Sequence, residues 1–163
     1  MAQMTMTRTT AATLTGTERT FFLSDLLGAR VIVHEKKVGS LTDVIIKENG
    51  TLPVVTHFCV SLPFGESAVV PWEKVGTVNP RQVTLNVDAI APYQGEPDEG
   101  AVLLRDYILD KKAIDLDGRE LEVVYDVKLV LRNNKLYVTD VDLSRYGLLR
   151  RIGLAGLANF IYN

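Results

Sequence analysis

The chain reads as mainly β, with two small antiparallel β-barrels in tandem and a C-terminal helix. Three observations predict this. Leu23-Ser24-Asp25-Leu26-Leu27-Gly28-Ala29-Arg30, followed by Val31-Ile32-Val33, recurs as Leu104-Arg105-Asp106-Tyr107-Ile108-Leu109-Asp110-Lys111, followed by Ala113-Ile114. Downstream, Val38 to Val44 aligns with Leu121 to Val127, which keeps an aspartate, Asp43 or Asp126, at the same place in a long strand. Finally, short apolar runs rich in β-branched residues alternate with Gly, Asn and Pro, which is the pattern of short strands and tight turns. The predicted units are a leader at 1–20, a first β-barrel at 21–91, a linker at 92–100, a second β unit at 101–144 and a helix at 145–163.

Residues 1–20, rich in Thr, Ala and Met with no apolar period, read as a disordered leader. In the first unit, Ala29 to His34 is a strand, Glu35 to Lys37 a turn, and Val38 to Glu48 a long strand. Asn49-Gly50 is a hairpin turn because both residues tolerate positive φ. Strands follow at Pro53 to Ser61 and Ser67 to Trp72, and Gln82 to Val87 alternates Val83, Leu85 and Val87 with polar neighbours. Pro92 to Gly100 holds two prolines, two glycines and three acids, the composition of a linker. In the second unit Leu121, Val123, Tyr125, Val127, Leu129 and Leu131 alternate with mostly polar residues, as in a half-buried strand. Asn133-Asn134 turns the chain into a strand at Leu136 to Leu143. Ser144 then caps a segment in which Leu148, Leu149, Ile152, Leu157, Phe160 and Ile161 recur near helical spacing. That helix stands where the first unit has a closing strand.

Bulk properties narrow the function. Units this small bury modest cores, so each is expected to pack on its neighbour, a second chain or a further domain. The formal charge of −2, from 18 basic and 20 acidic residues, gives no electrostatic reason to expect a nucleic-acid partner. The single cysteine, Cys59, fits a reducing compartment and hence the cytoplasm. No apolar run approaches the roughly 20 residues that span a bilayer.

Few residues suggest chemistry. Asp115 and Asp117, with Gly118, are spaced like the opening of a calcium loop, but no glutamate follows at the ligand spacing and Asp-Gly between strands makes an ordinary turn. Asp140 and Asp142 share a strand face and complete a weak candidate surface for a divalent cation, against the plainer reading of solvated strand charge. His34 and His57 have no companion ligand at a metal spacing, and neither a nucleophile elbow nor a Gly-rich phosphate loop occurs. The sequence therefore offers no catalytic residue and no cofactor, and the chain is read as not an enzyme. Trp72, in Val70-Pro71-Trp72, is either an interface anchor or rim packing. The stripe of Leu148 and Leu149 with Arg150 and Arg151 is the other candidate partner surface, docking on protein rather than lying on an anionic membrane.

The repeated Leu-x-x-Asp start, the strands bearing Asp43-Val44 and Asp126-Val127, and Val70-Pro71-Trp72 together resemble the PRC-barrel family, over most of Phe21 to Gly153. That family includes the cytoplasmic domain of the photosynthetic reaction-centre H subunit and the C-terminal domain of the ribosome maturation factor RimM. Leu104 to Lys111 and Asp142 to Leu154 add a resemblance to the tandem PRC arrangement that precedes the intracellular and CBS domains of MgtE-type magnesium-transporter-like proteins. The resemblance implies a noncatalytic adaptor or regulatory module that docks a partner protein or a domain following Asn163. It implies, as the alternative, a RimM-like ribosome-assembly factor that binds ribosomal protein.

Overall fold

The structure, a computed structural model, describes residues 18–48, 52–108, 112–113, 122–123 and 126–142. It is mainly β, as the strand pattern predicts, and most of the strands belong to one curled, half-barrel sheet. The strands are β1 (Arg19–Phe22), β2 (Arg30–Val33), β3 (Lys36–Lys47), β4 (Val54–Ser61), β5 (Ser67–Pro71), β6 (Val75–Asn79), β7 (Gln82–Leu85), β8 (Val102–Leu103), β9 (Lys112–Ala113), β10 (Glu122–Val123), β11 (Asp126–Arg132) and β12 (Lys135–Asp142). Two short helices, α1 (Leu23–Leu26) and α2 (Leu104–Ile108), follow β1 and β8. The main sheet runs β1-β11-β12-β4-β3-β2-β7-β6, with β5 added on β4 and β8 on β3, while β9 and β10 pair separately.

Local chemistry explains most boundaries. β2 turns into β3 through His34 and Glu35, at φ 48° and 65°, so the turn lies earlier than the expected Glu35 to Lys37 and Lys36 is already in the strand. Asn133 and Asn134, at φ 51° and 60°, make the predicted turn between β11 and β12. Asparagine enters this left-handed region at little cost. Gly28, at φ 82°, swings the chain out of α1 so that its N–H reaches Leu41 O at 2.7 Å. β5 ends at Pro71, and Trp72–Lys74 form a 3₁₀ turn instead of prolonging the strand.

Three features depart from the sequence expectations. β1 begins at Arg19, inside the stretch read as a leader, because Arg19, Thr20, Phe21 and Phe22 pair with Leu131, Val130, Leu129 and Lys128. β6, which has no counterpart among the predicted strands, pairs with β7. The sheet is also not wholly antiparallel: β2 and β7 run parallel, from Arg30↔Gln82 to Ile32↔Thr84, joined by the long crossover that a parallel pair requires. The expected helix at 145–163, with Leu148, Leu149, Arg150 and Arg151, lies outside the described residues, as do Asn49-Gly50, Asp115 and Asp117.

The hairpins β3–β4 and β11–β12 share one register. Asp43↔Cys59, Val44↔Phe58 and Ile45↔His57 recur 83 positions later as Asp126↔Asp142, Val127↔Val141 and Lys128↔Asp140. Both then bulge at a threonine, and Ile46↔Val55 and Lys47↔Val54 match Leu129↔Val138 and Val130↔Tyr137. The bulged threonines make the same bond: Thr56 Oγ1 donates to Ile45 O and Thr139 Oγ1 to Lys128 O, each at 3.3 Å. β4 and β12 meet at Val54↔Tyr137, which are corresponding positions, so an approximate twofold axis passes between them.

The opening strands obey that axis by crossing over. β1 pairs with β11, and β8, from the second half of the chain, pairs with β3 through Ile45↔Leu103 and Ile46↔Val102. Leu23, at the start of α1, and Leu104, at the start of α2, are both fully buried. They lie in a single core with Leu26, Val44, Phe58, Val127, Leu129 and Leu136. Removing those side chains from water is the main favourable contribution, about 25 cal/mol for each Å² buried.

Candidate functional site

Asp43 and Asp126 are the only buried charged residues among those described. Each stands in the middle of the crossing. Asp126 Oδ1 accepts from Ser24 N at 3.1 Å and from its own neighbour Val127 N at 2.9 Å, while Ser24 Oγ donates to Oδ2 at 2.6 Å. Asp43 Oδ1 accepts from Arg105 N at 2.7 Å and Val44 N at 2.8 Å, and Oδ2 accepts from Asp106 N at 3.4 Å. The first N–H of each helix after its buried leucine thus lands on a carboxylate of the opposite half. A buried carboxylate is tolerated where donors surround it. Even so, burial pushes the Asp43 carboxyl above its ordinary value, against the backbone donors of Arg105, Val44 and Asp106, which hold it down. These two carboxylates are latches between halves. The sequence marked them as repeated positions without indicating that each serves the other copy's helix.

The candidate binding surface is a groove of about 860 Å³ beside this crossing. Ile45, Ile46 and Lys47 of β3 with Glu48 just after it, Thr56 and His57 of β4, and Val69 and Pro71 of β5 form its base, and the Pro92–Val102 stretch with Tyr107 forms its wall. That wall is fastened to β5: Gly95 N donates to Ser67 O at 3.0 Å, Ser67 Oγ to Glu96 Oε1 at 2.6 Å, and Gln94 bridges to Ala68. Then Ala101 N donates to Asp98 O at 3.0 Å, a local turn just before β8 joins β3. Tyr107 is 66 % exposed and Val102 36 % exposed, so the groove carries apolar surface in the open. Glu48, Glu96 and Asp98 outnumber Lys47 around it.

The groove occupies a place that is filled on the other side of the twofold axis. There β1 covers four residues of the β11 edge, whereas β8 covers only Ile45 and Ile46 of β3. Among the described residues, none pairs with Lys47 on that edge. The counterpart of Lys47 is Val130, which pairs with Thr20.

The residues singled out by sequence are scattered. Trp72 is half-buried, packs edge-on against Phe58 with ring centroids 5.6 Å apart, and donates from Nε1 to Asn134 O at 2.7 Å, tying β5 to the β11–β12 turn. Asp140 is an exposed β12 residue opposite Lys128, and Asp142 pairs in register with Asp126 at the end of the same strand. Among the described residues, no three His, Cys, Asp or Glu side chains come together to hold a metal ion. His57 lies in the groove with Nδ1 2.9 Å from Thr56 Oγ1. Cys59 of β4 is buried opposite Asp43 of β3, and burial pushes its thiol up to about 12, too high for a thiolate nucleophile at neutral pH. The residues missed by sequence reasoning, Tyr107 and Val102, belong to a repeated motif whose equivalents Leu26 and Phe21 are buried, so nothing local marked them as exposed. Among the described residues, no helix is long and apolar enough to cross a membrane.

No protein-family model matches this chain, and no curated protein is significantly similar to it.

Proposed function

We propose that this chain is a noncatalytic docking module whose β3 groove holds an extended segment of a partner protein. The observation that carries the reading is the unequal cover of the two matched edges: β1 fills its seat on β11 over four residues, and β8 fills half of the matching seat on β3. A strand edge that no described residue pairs beyond Ile46, beside exposed Val102 and Tyr107, is a template for one more strand, with backbone pairing for affinity and the apolar floor for side chains. The acidic excess from Glu48, Glu96 and Asp98 favours an occupant that flanks its apolar residues with Lys or Arg. On this reading the two hairpins of shared register are two PRC-type units, each completed by the other's opening strand, and the PRC resemblance directs the search for the partner to magnesium-transporter-like proteins.

The test is selection of random extended peptides displayed on phage against the full chain. Selected peptides are expected to alternate aromatic or aliphatic residues beside a basic one, and Tyr107→Ala should weaken their binding by about tenfold, the loss of one apolar anchor. No enrichment, or peptides that bind Tyr107→Ala as well as the parent, would overturn the proposal.

A further inference from the structure

We infer that this chain can exchange halves with a second copy of itself, giving a dimer in which each lobe combines residues up to Glu96 of one chain with residues from Ala101 of the other. The joint between the halves is made of contacts indifferent to connectivity: β1 on β11, β8 on β3, β12 on β4, Ser24 on Asp126, Arg105 and Asp106 on Asp43, and Trp72 on Asn134. The same set forms whether one chain or two supply it.

What distinguishes the two states is the connection. Gln94, Gly95 and Glu96 are fastened to β5 and its flank, so the first half keeps them. Pro97–Gly100 follows, and its described hydrogen bonding is the single local turn from Ala101 N to Asp98 O. Asp98, Glu99 and Gly100 are exposed. This is the hinge. Opened, the four hinge residues span up to about 13–14 Å, enough to lead into a neighbouring molecule.

Opening also has a local gain. With the Asp98 turn undone, Ala101 would continue β8 along β3 and face Lys47, the register in which Thr20 faces Val130 across the axis. The exchanged state would complete the seat that the described residues of the closed monomer cover by half. If the docking reading above holds, exchange and partner binding compete for one strand edge, so self-association would switch docking off. The closed monomer holds the advantage of an intramolecular joint, an effective concentration of order mM for a short link. Exchange is therefore expected on refolding at high protein concentration.

The experiment uses the full chain with Arg19→Cys and Leu131→Cys, register partners across the joint, in a Cys59→Ser background. The protein is refolded from denaturant at high and low concentration, separated by size exclusion, oxidised and run on a denaturing gel without reductant. The expected result is a dimer peak only after concentrated refolding, whose disulfides join two chains and survive denaturation, while the monomer peak carries its disulfide within one chain. Phe22→Cys with Lys128→Cys repeats the test should the first pair disturb the strand end. No dimer with either pair, or a dimer that falls apart on the gel into internally cross-linked monomers, would overturn the inference. Neither readout involves the peptides, so failure here leaves the docking reading to its own test.

Discussion

At the scale of single residues, the two buried aspartates join the sequence to the joint. Both short bonds to Asp43 end on Oδ1, from Arg105 N and Val44 N, and only the 3.4 Å contact from Asp106 N falls on Oδ2. An asparagine placed with its carbonyl at Oδ1 keeps the short pair; an alanine keeps neither. Asp43→Ala is thus expected to cost roughly 1–3 kcal/mol in urea unfolding, a loss that Asp43→Asn avoids. The pH dependence has a definite sign. Burial raises the folded carboxyl above its ordinary 3.8, so stability from the protonated form is complete below that value and is lost as pH rises through the folded one. Asp43→Asn should match the parent in acid and gain on it toward neutrality. A stability difference that stays constant with pH would rule out this account. The aspartates were legible in the sequence as a repeated position, because identity and spacing survive in a string of letters. Their role was not, because the donor that each accepts lies in the other half of the chain, with 102 positions between Ser24 and Asp126.

At the scale of elements, strand existence was easier to read than strand pairing. β2, β3, β4, β5, β7 and β12 announce themselves through β-branched alternation, whereas β6 hides behind Gly76 and Asn79 and buries only Val78. A Cβ at Gly76 would lie 2.8 Å from Asn86 Oδ1 and 2.9 Å from Thr84 Oγ1, side-chain atoms that can give way. The stronger case is Gly39 in β3, where a Cβ would overlap the backbone oxygen of Ser61 and lie 2.9 Å from Val60 Cγ1. Backbone cannot swing aside as a side chain can. Gly39→Ala is therefore expected to destabilise by about 1–3 kcal/mol, the usual cost of overpacking, with a lowered melting temperature as the readout. An unchanged melting temperature would mean that β3 and β4 can separate there without loss. Pairing escaped the sequence for a physical reason: apolar positions mark a strand's buried face and not its neighbour, and β3 and β11 share one bulged register.

At the scale of the whole molecule, the exchange of opening strands decides what counts as a foldable unit. A chain ended at Gly100 would keep β1 through β7 but lose β11 from beside β1 and β8 with α2 from beside β3, leaving Phe21, Leu23 and Asp43 without their cover. Such a fragment is expected to show no cooperative thermal transition by circular dichroism. A sharp transition near that of the full chain would instead establish a self-sufficient first unit. The crossing also has a consequence in time. Synthesis delivers Ser24 102 positions ahead of Asp126, and at ribosomal speeds of about 5–20 residues per second that is a wait of roughly 5–20 s. Throughout it Phe21, Phe22 and Leu23 have been made and the strand that will shelter them has not. A nascent chain of this design emerges with Phe21 and Phe22 uncovered, and the first half takes its final shape only once β11 has been made.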